Sequence, residues 1–353
     1  MTVLRLLPLA ALWVVPLAAQ TVSRHTLRGT DVALYDLAGT VQLDAGTGDA
    51  VSVEVTRGGS DAAQLKVAEG DQRGAATLRV ISPGDRITYP AMPDGSTELR
   101  VRDDGTFGNH HDDDDDASDH AGRRVRISSR PGGLEAWADL RVSVPPGRTL
   151  TLHLAVGKVT VTNVDGRLRL EAASAPVSVN GAKGELTVRV GSGDVHLSGI
   201  EVKLDVETGS GGVEITRAHG PKLRVETGSG DVSASGVEAE QLSVETGSGD
   251  VRISSAKAPR VGLETGSGTV TVELQGDVDR LDVETGSGDV AITAPASLSA
   301  ELAIDTGSGE INTDFPLAVT RTARDHLRGT VGGGKGKISV ETGSGGIRLL
   351  RGK

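Results

Sequence analysis

Apolar and polar residues alternate in short runs that recur along most of the chain. The run Leu-Arg-Val-Glu-Thr ending at Thr227 places its Leu, Val and Thr on one side and its charged residues on the other. A period of two residues is typical of a β-strand, and Val, Ile and Thr favour that conformation. Since helical spacing does not fit these runs, the pattern predicts an all-β protein.

The runs end in a shared turn sequence that makes the chain a repeat protein. Gly-Ser-Gly gives the backbone the freedom that a tight bend requires. Weaker copies precede the clear ones, so that about ten copies of 18–21 residues extend from about Thr149 to Leu350, and a degenerate copy lies at residues 41–49. The string Thr-Gly-Ser-Gly begins at Thr208, Thr227, Thr246, Thr265, Thr285, Thr306 and Thr342.

One copy alone has too few apolar groups to offset the conformational entropy that is lost when it is ordered. Neighbouring copies must therefore pair their backbones and share a core. Because identical residues recur at identical phase, the sequence predicts a β-solenoid, a single-stranded β-helix-like stack with coils about 4.8 Å apart. An antiparallel meander of hairpins, which would also place the turns along one edge, is the alternative.

Stacking of the coils would turn each repeated residue into a row along the rod. The inward threonines and the turn serines would form hydroxyl rows able to hydrogen-bond between coils. The outward residue two places before each turn gives the row His153, Glu171, Arg189, Glu207, Glu226, Glu245, Glu264, Glu284, Asp305 and Glu341, in that order. A second, less regular row beyond the turn contains Asp194, Gly212, Asp231, Asp250, Thr269, Asp289 and Glu310.

The chain begins with a segment typical of a secretory signal peptide. A short basic start is followed by the apolar run 6–17 and then by small residues, and this run is too short and too rich in proline for a membrane span. We therefore expect an extracytoplasmic protein without a membrane span in its mature chain. The predicted organisation is a signal peptide at 1–19, an N-terminal β region or cap at 20–148 with an acidic disordered loop at 103–124, and the solenoid at 149–350 with an insertion at 312–337.

Composition removes several classes of protein from consideration. The chain has 353 residues and no Cys, which excludes disulfide scaffolds, thiol catalysis and Cys-ligated metal centres. With two Trp, two Tyr and two Phe, it lacks the aromatic residues of a stacking platform for nucleic acid. A net charge of −11 would repel phosphates, so DNA and RNA are not expected as partners.

The repeated unit Leu-x-Val-Glu-Thr-Gly-Ser-Gly-Asp-Val, following a signal peptide, resembles the bacterial "putative adhesin" family. This family is a domain of unknown function built of β-strand repeats. The likeness is strong over about residues 149–350 and looser at residues 34–40 and 140–147. The resemblance implies an envelope or surface protein with a β-solenoid body, and it brings no active-site residues with it.

Outward carboxylates suggest a hypothesis of weak cation binding along the rim of the rod, because Ca²⁺ prefers hard oxygen ligands. The alternative is an acidic face that is merely screened by salt. The rim candidates are Glu207, Glu226, Glu245, Glu264, Glu284, Asp231, Asp250 and Asp289. A separate candidate metal site lies in the acidic loop at His110, His111, Asp112 and His120, although such a run is more typical of a solvated, disordered loop.

No catalytic residue or cofactor is assigned, because every coil offers nearly the same groups and no singular site emerges. His196 and His219, the least regular outward residues, are interpreted as surface residues. We expect a non-enzymatic structural or adhesin-like protein that presents a polar acidic face to a surface or polymer, such as a cell-surface or polysaccharide ligand. The alternatives are a polysaccharide-processing β-helix enzyme and an envelope-stress or sensing accessory protein, and the oligomeric state stays open.

Overall fold

The structure is a computed structural model that describes residues 21–93, 95–108 and 122–352. The predicted signal peptide and the loop residues His110, His111, Asp112 and His120 lie outside the described residues. A 3-10 turn at Ala62–Gln64 accompanies the strands. In the described part of the chain, no helix is long and apolar enough to cross a bilayer.

The strands before the repeats belong to the N-terminal cap and to the first coil of the rod. They are β1 (Thr21–Leu27), β2 (Asp31–Ala45), β3 (Val51–Gly58), β4 (Lys66–Gln72), β5 (Ala75–Ile81), β6 (Arg86–Thr88), β7 (Ser96–Val101), β8 (Arg123–Ser128) and β9 (Trp137–Val144).

The repeats form the body of the rod. Their strands are β10 (Arg148–Ser174), β11 (Val177–Ser192), β12 (Val195–Ser210), β13 (Val213–Ser229), β14 (Val232–Ser248), β15 (Val251–Lys257), β16 (Arg260–Ser267), β17 (Val270–Leu274), β18 (Arg280–Ser287) and β19 (Val290–Ala294). The C-terminal strands are β20 (Ala300–Thr306), β21 (Ile311–Thr313), β22 (Ala318–Thr322), β23 (His326–Val331), β24 (Gly336–Ser344) and β25 (Ile347–Arg351).

Successive repeats pair in parallel, each residue lying beside its counterpart one coil away. Leu204 of β12 is the register partner of Leu223 of β13, which in turn is the partner of Leu242 of β14. This pairing continues through β16 and β18 without a change of direction. The predicted β-solenoid is therefore confirmed, and the alternative meander of antiparallel hairpins is wrong.

The inward side of each coil forms one continuous apolar core that runs from Leu27 to Leu349. The threonine before each turn is buried with this core, as predicted: Thr246 and Thr265 are 2% and 1% exposed. Their hydroxyls donate to glycine carbonyls of the preceding coil, at 3.2 Å from Thr246 to Gly230 and 3.1 Å from Thr265 to Gly249. The threonine row thus hydrogen-bonds to the backbone rather than from hydroxyl to hydroxyl.

The N-terminal strands close one end of the rod. Strand β2 stacks in parallel on β10 as a further coil, with Val41 of the degenerate copy beside Val159. The two halves of β2 pair on their other edge with β5 and β9. Antiparallel strands then follow, β4 beside β5, β3 beside β9 and β1 beside β3. This change from parallel to antiparallel pairing ends the parallel stack at the N-terminal end of the rod.

A second, three-stranded sheet made of β6, β8 and β7 covers the outer flank of the first coils. It shares with β2 a small core in which Tyr35, Tyr89 and Phe107 are buried and Trp137 is partly buried. Four of the six aromatic residues of the chain are thus gathered at this one place. Bulky rings fill the space between a coil and a sheet, whereas the narrow interior of the repeats is filled by Val, Leu and Ile.

At the C-terminal end the coils do not stack in chain order. Strand β24 lies between β18 and β20, so that Glu341 is the register partner of both Glu284 and Asp305. The predicted order, with Asp305 before Glu341, is therefore wrong. The hairpin of β22 and β23 lies beyond β20 and brings the chain back to fill the gap. Predicting the order from the sequence assumes that each coil stacks on the coil that precedes it in the chain. The long connection between β21 and β24 makes that assumption fail.

Candidate functional site

The glutamates predicted for the rim form an unbroken row along five coils. Their backbones are consecutive register partners, which places neighbouring residues about 4.8 Å apart. The row consists of Glu207, Glu226, Glu245, Glu264 and Glu284.

Only the first part of this row is neutralised by neighbouring cations. Arg189 donates to Glu207 at 3.0 Å, and Arg224 lies 2.7 Å from Glu226. Within residues 21–93, 95–108 and 122–352, no Lys, Arg or His lies within ion-pair distance of the remaining three glutamates of the row. As far as the described residues go, the negative charge of the far half of the row is therefore uncompensated.

A groove of about 1000 Å³ runs over this row from Glu207 to Glu264, and we call it the glutamate groove. One wall is the outer face of the coils. The other is formed by Glu98, Leu99 and Arg100 of β7 and by Arg102, Phe107 and Gly108 beyond it. Its carboxylates are Glu98, Glu171, Glu207, Glu226, Glu245 and Glu264, and its guanidinium groups are Arg100, Arg102 and Arg189. Acidic groups thus outnumber basic ones, and the excess lies along the coils.

The end of the groove beneath Gly108 is closed by a packed ring cluster. The His153 ring stacks on Tyr35, with centroids 4.4 Å apart and planes 6° from parallel, and Phe107 meets it edge-on at 6.3 Å. His153 is 6% exposed, so its predicted outward position is wrong. The sequence signal for this burial is Tyr35, one of the few aromatic residues of the chain, which lies in the loosely similar segment 34–40 and is the register partner of His153.

Glu171 joins this cluster to the row. Its Oε2 atom lies 3.1 Å from Nδ1 of His153. Burial acts to raise the pKa of Glu171, but the His153 ring, followed by the guanidinium groups of Arg169 and Arg189, outweighs it and lowers the pKa below its usual value. Glu171 is therefore held as a carboxylate at the closed end of the groove.

The aspartates of the second row have a structural role that the repeat alone did not reveal. The carboxylates of Asp231 and Asp250 accept hydrogen bonds from the backbone N–H groups of Asp250 and Thr269, at 2.9 and 2.8 Å. Asp289 does the same for Gly346 of the neighbouring coil at 2.8 Å. The N–H of Thr269 is the main cause of a lowered pKa at Asp250. Each aspartate thus fastens the turn of the next coil.

The repeats also establish a relationship to known proteins. Residues 177–350 match the model of the family described as Toastrack DUF4097. The repeats of this segment are thus similar to those of the Toastrack family. The resemblance to a domain-of-unknown-function family of β-strand repeats is thereby confirmed, and the Toastrack segment contains the whole glutamate row.

Solved structures similar to the chain come from bacteria and share little sequence with it. A "putative cell adhesion protein" from Clostridium sporogenes is 10% identical, with 94% of this chain and 100% of that one covered and a TM-score of 0.20. A "putative lipid binding protein" from Parabacteroides distasonis is 10% identical, with 96% and 98% covered and a TM-score of 0.40. A "putative adhesin" from Parabacteroides merdae is 9% identical, with 96% and 98% covered and a TM-score of 0.31. No curated protein matches the sequence significantly.

The rim of the Toastrack segment holds no ready-made metal centre. In the parts of the chain that the structure describes, no group of three His, Asp or Glu side chains is placed to hold a metal ion. The rim aspartates are also engaged with backbone N–H groups. Weak Ca²⁺ binding along the rim stays a prediction.

The two outward histidines lie away from the glutamate groove. His196 is exposed and lies 3.1 Å from Glu214. His219 is exposed and lines a second cavity of about 620 Å³, together with Lys203, Glu238 and Lys257. The lysines there are already paired, Lys257 with Glu238 at 2.6 Å and Lys203 with Glu185 at 3.1 Å. With three carboxylates, Glu201, Glu238 and Glu240, against two lysines, this second cavity is closer to charge balance than the glutamate groove.

Proposed function

We propose that the protein is a non-enzymatic, extracytoplasmic, adhesin-like repeat protein whose glutamate groove holds an extended, positively charged stretch of a surface polymer. The observation that carries this proposal is the coincidence of the groove with a row of glutamates, the far half of which has no cationic partner among the residues that the structure describes. The ligand would carry ammonium or guanidinium groups along a flexible backbone.

The repulsion within the row favours such a ligand. Two unit charges about 4.8 Å apart repel by about 0.9 kcal/mol in bulk water, and the groove walls reduce the access of water. A polycation relieves several of these contacts at once and releases small ions, as chains of opposite charge do on association. From Glu207 to Glu284 the row covers four coil spacings, about 19 Å, which matches about six residues of extended chain.

The chemistry of the groove supports binding rather than sugar cleavage. A glycoside hydrolase needs one carboxyl group that is protonated at working pH, with a raised pKa. The most enclosed carboxylate of the groove, Glu171, has a lowered pKa. The glutamates of the row otherwise have closely similar surroundings from coil to coil, which suits a repetitive ligand more than a single reacting bond.

The test compares two double variants that each remove two negative charges. Glu245→Gln with Glu264→Gln acts in the groove, whereas Glu240→Gln with Glu310→Gln acts on exposed residues outside it. With about 0.5 kcal/mol for each exposed charge pair, we expect the groove variant to bind oligolysine about fivefold more weakly at low salt. The control variant should bind as the unchanged protein does.

Titration calorimetry with oligolysine and with an amine-bearing oligosaccharide measures both affinities, and a reducing-end assay on the second ligand detects cleavage. Equal weakening by the two variants would show that only net charge attracts the ligand. Release of reducing ends by the unchanged protein would replace the binding role by an enzymatic one.

A further inference from the structure

The last coil of the chain, formed by β24 and β25, lies between two coils that precede it in sequence. Val340 of β24 is the register partner of Val283 on one side and of Ile304 on the other. Ile347 of β25 likewise lies between Val290 and Ile311. We call this unit, residues 336–351, the terminal coil.

The two flanking coils form a slot for the terminal coil, and the backbone groups on each wall of this slot pair with those of the terminal coil. On one wall the N–H groups of Gly288 and Val290 donate to the terminal coil, at 2.9 Å each. On the other, the coil itself donates from Gly345 and Ile347 to carbonyls of the coil formed by β20 and β21, again at 2.9 Å. Without the terminal coil, two rows of backbone groups would face each other unpaired across a gap one strand wide.

The interior of the slot is equally specific. The terminal coil contributes Ile338, Val340, Ile347 and Leu349 to the common core, each no more than 1% exposed. Thr342 is buried as well and donates to the carbonyl of Gly288 at 3.1 Å. An occupant of the slot therefore needs the alternating pattern and the turn of the terminal coil.

A short glycine-rich hinge joins the terminal coil to the rest of the molecule. Residues 332–335 read Gly-Gly-Gly-Lys, and three of the four are exposed. Gly332 and Gly334 have φ angles of 59° and 64°, in the left-handed region that disfavours other residues. A Cβ atom at Gly334 would lie 2.8 Å from the Thr330 side chain. The hinge is thus tightly folded when the coil occupies the slot of its own chain.

We infer that the terminal coil is an exchangeable unit, and that two copies of this chain form a dimer in which each terminal coil fills the slot of the other copy. Every contact of the coil with its slot is reproduced in such a dimer, since the slot is the same in both copies, and only the hinge changes. Glycine adopts these left-handed angles without strain, so the native hinge favours neither form, and a high protein concentration has to offset the entropy lost on association.

Disulfide cross-linking tests the exchange. Because the chain has no native Cys, only the introduced cysteines can form a disulfide. One batch of full-length protein carries Glu284→Cys and a second carries Glu341→Cys, at positions that are register partners across the slot. The two are unfolded together, refolded at high concentration and oxidised. We expect a disulfide-linked dimer containing one chain of each kind. The matched pair Glu245→Cys and Glu264→Cys, register partners within the body, should give none.

A hinge variant supplies a second readout on freely refolding protein. Gly332→Ala with Gly334→Ala strains the closed hinge at two left-handed positions, and about tenfold tighter dimerisation is expected from about 1–2 kcal/mol of strain. Gly262→Ala, where a Cβ atom meets nothing within 4 Å, is the control and should leave the equilibrium unchanged. Light scattering after refolding over a concentration series measures it.

Three results would overturn the exchange: equal cross-linking of the slot pair and the body pair, monomers at every concentration, or an unchanged dimer fraction in the hinge variant. None of them bears on the groove, because the exchange is measured by cross-linking and oligomeric state without any ligand, whereas the groove is tested by ligand affinity.

Discussion

At the scale of single residues, the turn glycines are fixed by the coil beneath them rather than by their own conformation alone. A Cβ atom at Gly247 would lie 2.5 Å from the carbonyl oxygen of Gly228, and the same approach recurs one coil on, between Gly266 and Gly247. The first glycine of each turn therefore permits the close stacking of coils, which is why it recurs with the period of the solenoid.

Substitution of one such glycine should destabilise the rod locally. We expect Gly247→Ala to lower the free energy of unfolding by about 1–3 kcal/mol, because the neighbouring backbone must shift to admit the methyl group. Gly262→Ala adds the same atom where nothing lies within 4 Å and should be neutral or slightly stabilising. Chemical denaturation of both variants measures the difference, and equal losses would contradict the role of the close approach.

Asp36 is a buried carboxylate that the repeats do not explain. It is 1% exposed, and its Oδ2 atom has no hydrogen-bond partner in the described structure. Burial, reinforced by the charge of Asp139, raises its pKa well above the usual value despite the N–H of Ala38. Because the folded state holds this proton more tightly than the unfolded chain does, the contribution of Asp36 to stability is greatest at low pH and is lost as pH rises above about 4 towards the folded pKa.

The variant Asp36→Asn cannot ionise and should escape this loss. We expect it to raise the free energy of unfolding at pH 7 by about 1–3 kcal/mol, and to lose most of that gain at pH 4. Asp71→Asn, on an exposed position of β4, should change stability by less than about 0.5 kcal/mol at either pH. Denaturation curves at the two pH values decide the matter, and a gain that does not depend on pH would rule out ionisation as the cause.

Which residues face inward could be predicted, but the partners of the outward ones could not. Alternation fixes the face of a residue in a strand, and so the burial of Thr246 and its counterparts followed directly from the pattern. The hydrogen bond from the N–H of Thr269 to Asp250 depends on how two turns are offset, which no single repeat encodes. His153 left the outward row because strand β2 and Phe107 cover it.

At the scale of strands, the regular middle of the rod could be predicted and its two ends could not. The repeats from β12 to β18 stack in chain order because they have nearly the same length, the same phase and the same turn. At the ends, β2 and β24 are taken out of order by long connections, and their places are set by which edge remains unpaired. Both exceptions have the same physical origin, since an unpaired parallel edge is a strong acceptor for any strand of matching pattern.

The packing of the aromatic residues is a second feature that the sequence did not predict. Their scarcity was plain from composition, and four of them gather where the sheet of β6, β8 and β7 meets β2. That sheet forms one wall of the glutamate groove through β7. The row of carboxylates was therefore predictable, whereas the wall that turns an open row into a groove was not, because it comes from a segment without the repeat.

At the scale of the whole molecule, the net charge of −11 is concentrated in part along one line of the rod. A stacked row of like charges destabilises the native state, since the unfolded chain holds the same charges further apart. The ion pairs at Glu207 and Glu226 relieve only one end of the row. The chain therefore folds despite the repulsion among Glu245, Glu264 and Glu284. The proposed binding of a cationic ligand would require this, because the carboxylates must be unpaired before the ligand binds.

This repulsion has a measurable consequence in the absence of any ligand. Glu245→Gln with Glu264→Gln removes three like-charge contacts, and we expect it to raise the free energy of unfolding by about 1–2 kcal/mol at low ionic strength. The gain should shrink in high salt, where exposed charges are screened. If the rim only attracts cations diffusely, NaCl and CaCl₂ at equal ionic strength will raise the melting temperature of the unchanged protein equally. A larger rise with CaCl₂ that a chelator reverses would instead establish a calcium site on the rim, with ligands drawn from more than one coil because no single coil offers enough carboxylates.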